Sequence, residues 1–297
     1  MKKIIFKGCG TALATPFTKD NKINYEVFKQ MIENQIKNKV DALIVCGTTG
    51  ESATMTDIER KECIKFVVDL VNKRIPVIAG TGSNNTAASI ELTKYAEEIG
   101  CTAALIVTPY YNKTTQQGLI THYKTIASNT NLPIILYNVP SRTGVNINPE
   151  TCLELSKIEN IVAIKEASGN ISQISKIRYL CKDNLNIYSG NDDQIIPILS
   201  IGGIGVISVL SNLVPNFVHQ LCTFYFNGYT KEAAEMQITT LPLINALFYE
   251  VNPIPVKYAL NLIGYDFGIP RLPLIELSSK NKALLKNELQ KVTGLSV

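Results

Sequence analysis

The sequence predicts an α/β protein, a (β/α)8 TIM barrel with an added C-terminal helical region. Eight short apolar segments recur at intervals of roughly 20 to 35 residues, with helical stretches between them. Near-continuous apolar strands joined by helices are typical of a parallel sheet whose outer face is covered. The length of 297 residues suits one barrel. The predicted strands are GTALATP (10–16), DALIVCG (41–47), IPVIAG (75–80), TAALIVTP (102–109), LPIILYNVP (132–140), IVAIKEAS (161–168), LNIYSG (185–190) and GIGVISVL (203–210).

The helices are predicted from apolar residues with a helical period. NYEVFKQMIENQIKN (24–38) has this pattern, as does SIELTKYAEEIG (89–100), where Gly100 is expected to cap the end. About 90 residues follow the eighth strand, more than one closing helix needs. We therefore expect residues 1–228 to form the barrel with the catalytic site and residues 229–297 to form a helical region packed on it.

Charge and hydropathy argue against nucleic-acid and membrane partners. The chain has 29 basic and 25 acidic residues, and its lysines are scattered rather than gathered into a stripe. The N-terminal apolar run is broken by Lys7 and Gly8, and no apolar run reaches the ~18 residues of a membrane span. A cytoplasmic protein is expected.

The cysteines and histidines argue against disulfides and metals. The seven cysteines include no C-x-x-C pair, and a chain of this size does not need disulfide bonds for stability. They are predicted to be reduced, buried side chains. The two histidines, His122 and His219, lack the spacing of a zinc site, so no metal is predicted. No organic cofactor is expected either.

Five of the eight strands end in polar or glycine-rich sets. Reactive residues of a (β/α)8 barrel lie at the carboxyl ends of the strands and in the loops that follow. The five sets are GTTGES, TPYYN, YNVPSRTG, KEASG and SGNDD.

Lys165 ends the sixth apolar strand. By alternation it shares a face with Ile161 and Ala163, and the small Ala163 leaves room for a long side chain. A free lysine is almost entirely protonated at pH 7, whereas burial disfavours the ammonium form. A neutral amine can form a Schiff base with a carbonyl. The alternative is a structural ion pair with Glu166, or a side chain that extends to solvent.

Two tyrosines are candidates for proton transfer beside this lysine. Tyr137 ends the neighbouring fifth strand, and Tyr111 follows the fourth. A phenol near a forming imine can act as a general acid or base. Core packing with a satisfied hydroxyl is the alternative for each.

Two further sets are candidates for binding carboxylates. The backbone amides and the hydroxyls of Thr48 and Thr49 in GTTGES could bind an anion, although the motif lacks the ending of a nucleotide-binding loop. Arg142 is a candidate clamp for a second carboxylate. A tight βα turn and a surface arginine are the alternatives.

Five ordered motifs, GTTGESATM (47–55), TPYYNK (108–113), YNVPSRTG (137–144), IKEASG (164–169) and SGNDD (189–193), are similar to those of the 4-hydroxy-tetrahydrodipicolinate synthase family. This family belongs to the pyruvate-dependent class I aldolases, which are lyases. The resemblance covers nearly the whole chain. It implies a barrel with a C-terminal helical region, usually a homotetramer, that condenses pyruvate with aspartate 4-semialdehyde in lysine and diaminopimelate biosynthesis.

The resemblance also implies roles for individual residues. Lys165 would form the Schiff base, and Tyr137, Thr48 and a Tyr111 supplied by a neighbouring subunit would relay protons. A dimer would then be the minimum active unit. The substrate-binding residues would be Thr49, Arg142, Gly190 and Ile207.

The same motifs leave two other functions open. Related aldolases use the same lysine and tyrosine to cleave sialic acid, as N-acetylneuraminate lyase does, or keto-deoxy sugar acids. Arg142 and the paired threonines favour the synthase. A non-enzymatic pyruvate sensor or scaffold is the other alternative, although no reactive residue is missing.

The resemblance implies an allosteric lysine cleft, whose matching positions are Ser52, Ala53, Asn84 and Tyr110. Lysine-inhibited members carry a glutamate and histidines at other cleft positions, and this chain has Ala88, Asp57 and Arg60 there. The carboxylate that would pair with the inhibitor's ammonium is missing. We therefore expect feedback inhibition by lysine to be weak or absent.

Overall fold

A computed structural model describes residues 2–294 of the chain. Its eight strands form one closed parallel barrel in sequence order, which confirms the predicted fold class. The strands are β1 Gly8–Ala12, β2 Ala42–Val45, β3 Val77–Gly80, β4 Ala103–Val107, β5 Ile134–Asn138, β6 Ile161–Glu166, β7 Asn186–Ser189 and β8 Gly205–Ser208.

Twelve helices occur within residues 2–294, and most of them cover the outside of the barrel. They are α1 Tyr25–Lys37, α2 Asp57–Val71, α3 Thr86–Glu98, α4 Gln116–Ala127, α5 Pro140–Thr143, α6 Pro149–Ser156, α7 Ile171–Cys181, α8 Ile195–Ser200, α9 Pro215–Phe226, α10 Thr230–Ala246, α11 Ile254–Leu262 and α12 Ser279–Thr293.

Local sequence explains where the helices begin and end. Asn24 caps α1 by accepting from the N–H of Val27, and Thr56 forms a reciprocal capping box with Glu59 at the start of α2. Gly100 follows α3 with φ +89°, a conformation that favours glycine, as predicted.

The apolar side chains form two clusters, one inside the barrel and one between the barrel and its helices. The inner cluster takes side chains from all eight strands, among them Ile44, Tyr137 and Ile207. The larger outer cluster packs the strands against the helices. The seven cysteines are all buried and unpaired, as the sequence indicates.

Two strand predictions need correction. β1 begins at Gly8 and ends at Ala12, earlier than the predicted 10–16. The expected shared face of Ile161 and Ala163 is also wrong, because a register shift between β5 and β6 at Ile134 and Ile135 interrupts the alternation. Ile161 therefore packs in the outer cluster, whereas Ala163 lies inside the barrel.

Three helices, α10, α11 and α12, follow the last barrel helix, in the part of the chain where the sequence indicates a C-terminal helical region. The division at residue 228 stays a prediction, and residues 295–297 of the predicted region lie outside the described residues. Within residues 2–294, none of the helices combines the length and the apolar character needed to cross a membrane.

Candidate active site

A cavity of about 620 Å3 opens where strands β2, β5, β6 and β7 end. Residues 248–252, between α10 and α11, close another side of it. Six predicted site residues line this cavity: Thr48, Thr49, Tyr137, Arg142, Lys165 and Gly190.

Lys165 is buried at the mouth of the barrel, with 6% of its surface exposed. Its Nζ lies 4.3 Å from the centre of the Tyr137 ring. The contact follows from the parallel register, in which Tyr137 of β5 pairs with Lys165 of β6. An amine held against an aromatic face in a partly apolar cavity is shielded from bulk water.

Gly190 gives the lysine side chain its space. A Cβ atom added at Gly190 would lie 3.1 Å from the Cε of Lys165 and 2.7 Å from the Cβ of Ala167. The N–H of Gly190 donates to the carbonyl of Glu166 at 2.7 Å, which brings the end of β7 close to β6. The absence of a side chain at residue 190 therefore leaves the space that the Lys165 side chain occupies.

Glu166 does not pair with Lys165. Its carboxylate points away from the barrel interior and accepts from Asn138 Nδ2 at 2.7 Å, Ser168 Oγ at 2.9 Å and Gln173 Nε2 at 3.2 Å. Burial raises the pKa of this carboxyl, and the three donors oppose the effect. The ion-pair alternative for Lys165 is thereby removed.

Asp192 lies buried behind the end of β7. Its Oδ2 accepts from the N–H groups of Val209 and Leu210 at 3.0 and 2.9 Å. Burial raises the pKa of Asp192, whereas hydrogen bonds and the charge of Lys165 lower it. These bonds join the β7 end to the segment after β8.

The glycine-rich turn after β2 holds the two threonines at the cavity. The N–H groups of Gly50 and Glu51 donate to the carbonyls of Gly47 and Thr48, both at 3.1 Å. Among residues 2–294, the N–H groups of Thr48 and Thr49 have no backbone carbonyl as a partner. Donors of this kind, together with the hydroxyls, can bind a carboxylate.

Arg142 lies in the short helix α5, directly after β5, with its side chain exposed at the cavity. Its Nη2 donates to the backbone carbonyl of Asn252 at 3.2 Å. Further N–H groups of a guanidinium stay available for an anion, because it has five donors. Ile207 lies deeper, fully buried in the inner cluster with Tyr137, and is not part of the cavity wall.

Asn252 is a site residue that the sequence interpretation missed. Its Nδ2 donates to Thr49 Oγ1 at 3.0 Å, and its carbonyl binds Arg142. It comes after α10 and outside any strand, so strand-end reasoning passes over it. The only local signal is the Asn-Pro pair before α11, which indicates a helix start rather than a binding residue.

Tyr111 does not reach the cavity of its own chain. Its side chain is 91% exposed in the loop after β4, where its backbone has φ +69°. A non-glycine residue rarely adopts this conformation. The phenol of Tyr111 thus lies on the outer surface of the described part of the chain.

The positions of the predicted lysine cleft lie on two loops and a 3-10 helix, and Asn112 of the Tyr110 loop donates from Nδ2 to the carbonyl of Asn84 at 2.9 Å. Ser52 and Ala53 are in a short 3-10 helix after the glycine-rich turn, and Tyr110 is exposed in the loop after β4. Asn84 lines a cavity of about 440 Å3 that also includes His122.

The comparisons with known proteins cover nearly the whole chain. The model of the dihydrodipicolinate synthetase family matches residues 5–292. The chain is 58% identical to 4-hydroxy-tetrahydrodipicolinate synthase 1 of Clostridium acetobutylicum over 286 residues, which is 96% of this chain and 97% of that protein.

Two solved structures share the fold at a TM-score of 0.95 each. One, described as the first monomeric dihydrodipicolinate synthase variant, is 44% identical, with 98% of both chains covered. The other, dihydrodipicolinate synthase from Acinetobacter baumannii complexed with pyruvate, is 39% identical, with 97% of this chain and 99% of that chain covered. The chain therefore belongs to the dihydrodipicolinate synthetase family.

Proposed function

We propose that the protein is a 4-hydroxy-tetrahydrodipicolinate synthase, a lyase of the class I aldolase type that condenses pyruvate with aspartate 4-semialdehyde. The observation that carries the proposal is the amine of Lys165, buried against Tyr137 in a cavity that also exposes Thr48, Thr49 and Arg142. The names of the relatives support the same activity.

The first half of the reaction takes place at Lys165. Its neutral amine attacks the keto carbon of pyruvate, and loss of water leaves a protonated imine. The pyruvate carboxylate binds the turn of Thr48 and Thr49. The imine accepts the electron pair released when a methyl proton leaves, which produces an enamine. This electron sink replaces the function that a metal ion serves in other aldolases.

The second half forms the carbon–carbon bond. The enamine carbon attacks the aldehyde carbon of the semialdehyde, whose carboxylate binds Arg142. The amino group of this substrate then adds to the imine carbon and displaces Lys165, which closes the ring and frees the enzyme. Tyr137 and Thr48, completed by a Tyr111 from a neighbouring subunit, move the protons.

Reductive trapping tests the Schiff base. Borohydride added with pyruvate should convert Lys165 to a carboxyethyl-lysine that peptide mapping identifies. Lys165→Met is expected to be unlabelled and inactive, whereas protein without pyruvate should stay unmodified. An unlabelled Lys165 in folded wild-type protein would instead favour a pyruvate-binding sensor or scaffold.

The second substrate separates the synthase from other keto-acid aldolases. Pyruvate-treated enzyme should consume aspartate 4-semialdehyde in a coupled assay and leave N-acetylmannosamine unchanged. Arg142→Gln should weaken use of the semialdehyde while pyruvate trapping at Lys165 continues. Turnover of the sugar in preference to the semialdehyde would assign the lyase function.

The assembly and location are part of the same proposal. The exposed Tyr111 supports a homo-oligomer in which a dimer completes each site and a tetramer is the expected state. The solved structure described as the first monomeric dihydrodipicolinate synthase variant supports oligomeric assembly as the usual state of such proteins. The seven unpaired cysteines support a reducing, cytoplasmic location.

A further inference from the structure

A buried ion pair lies behind the glycine-rich turn, outside the wall of the cavity. Lys257 of α11 donates from Nζ to Glu51 Oε1 at 2.8 Å, and the two side chains are only 1% and 0% exposed. The same nitrogen donates to the carbonyl of Ile269 at 3.2 Å. Each of these charges needs the other as a partner, because an unpaired charge that is fully removed from water strongly destabilises a protein.

Glu51 is the last residue of the turn and has an unusual backbone. Its φ of 55° and ψ of 33° place it in the left-handed region, which disfavours a residue with a side chain. Its N–H closes the turn onto the carbonyl of Thr48, and its Oε2 accepts from the N–H of Arg271 at 2.8 Å. The carboxylate is thus held on both oxygens by the C-terminal region.

The surroundings balance the charges of the pair. Lys257 Nζ and the Arg271 guanidinium both lie 4.2 Å from the centre of the Phe17 ring, and Arg271 pairs with Glu59 at 2.6 Å. Burial lowers the pKa of Lys257 to about 8, although the charge of Glu51 raises it. At neutral pH most molecules therefore keep the proton that the pair requires.

The same part of the chain touches the turn a second time. Asn252, just before α11, donates to Thr49 Oγ1 at 3.0 Å and accepts from Arg142. The turn is therefore held from the cavity side by Asn252 and from behind by Lys257.

We propose that Glu51 and Lys257 are positioning residues for the condensation: their ion pair holds the turn so that Thr48 and Thr49 face the substrate carboxylate. Neither residue contacts substrate, and the C-terminal region acts on the site through them. This inference rests on the proposed function, because the proposed function is what makes the turn a binding site for the substrate carboxylate.

Three variants test the proposal. Glu51→Gln removes the charge, and Glu51→Asp keeps it but draws it back from Lys257. The double variant Glu51→Gln with Lys257→Met removes both charges, which commonly leaves stability nearly unchanged. Each folded variant should raise the KM for pyruvate by about tenfold or more, with a smaller loss in kcat. Saturating pyruvate should still allow borohydride labelling of Lys165.

The matched control is the pair of half-buried Lys282 and exposed Glu276 in the same C-terminal region, with its nitrogen and oxygen 2.9 Å apart. Lys282→Met with Glu276→Gln should keep the wild-type KM. A folded Glu51→Asp or double variant with the wild-type KM would overturn the positioning role. If the double variant does not fold, the KM of folded Glu51→Asp decides between positioning and a role in folding alone. Absence of labelling in the wild type would instead refute the Schiff-base mechanism.

Discussion

The amine of Lys165 lies 4.3 Å from the centre of the Tyr137 ring, and the two residues are directly paired in neighbouring parallel strands. Because both belong to the barrel, the distance between them is set by strand register rather than by a mobile loop. A nucleophile and a proton donor on a rigid sheet need little rearrangement before reaction.

Tyr137→Phe should lower kcat by about 100-fold or more, because the ring stays in place while the proton-transferring hydroxyl is lost. The control is Tyr188→Phe, on the other side of Lys165, whose hydroxyl donates to the carbonyl of Phe6 at 2.7 Å. This control should lose about 1 kcal/mol of stability and little activity. Steady-state kinetics and thermal melts distinguish the two, and equal loss of activity would contradict the role of Tyr137.

Gly190→Ala should impair both stability and activity, because its new methyl group would meet Ala167 and Lys165. Adding Ala167→Gly removes the closer contact, at 2.7 Å, but leaves the 3.1 Å contacts with Lys165 Cε and with the backbone carbonyl oxygen of Glu166. We expect the double variant to recover part of the lost stability and to remain about tenfold slower in imine formation. Recovery of both properties together would show that the lysine does not need this space.

Tyr111 can be tested by mixing two impaired variants. If the phenol acts in a neighbouring subunit, Lys165→Ala and Tyr111→Phe subunits should together restore about a quarter of wild-type activity after random exchange in a dimer. The restored site combines an intact lysine with an intact tyrosine from the other subunit. Mixtures as inactive as the separate variants, despite proven exchange, would place Tyr111 outside the reaction.

Lysine should inhibit weakly or not at all. Ala88 and Asp57 are exposed, and the Arg60 side chain donates to the carbonyl of Gly80 at 3.0 Å. Ala88→Glu should increase sensitivity to lysine, whereas the neighbouring Ala87→Glu should not. Inhibition of the wild type by sub-millimolar lysine in a steady-state assay would contradict the expectation.

His122 should make the protein less stable in mild acid. It is buried, with Nδ1 at 2.9 Å from Thr86 Oγ1, and burial lowers its pKa from its ordinary value near 6.5 to about 4. Between these values the unfolded chain binds a proton that the folded protein does not, so the free energy of unfolding falls as pH falls. The loss should reach about 3 kcal/mol at pH 4. Urea unfolding at several pH values should show that the free energy of unfolding of His122→Gln depends less on pH than that of the wild type. If the two proteins lose stability in parallel as pH falls, His122 is not the cause.

Alternating apolar strands and helical periods were sufficient to predict the barrel, because each signal is local to one element. The same reasoning gave a wrong face for Ile161, since a register shift depends on the neighbouring strand. It placed Lys165 and Tyr137 on adjacent strand ends because parallel strands of a barrel follow the order of the chain. The local pattern contains nothing to indicate that Asn252 would join them.

The sequence by itself determined the family, the fold class and the candidate nucleophile, since these depend on residue type and on spacing along the chain. Only the tertiary structure decided which way Glu166 points, and it alone brought Asn252 and Lys257 to a turn about 200 residues earlier. The physical reason is that burial and hydrogen bonding between distant segments depend on how the whole chain packs, and a buried charge acquires its partner only when the chain has folded.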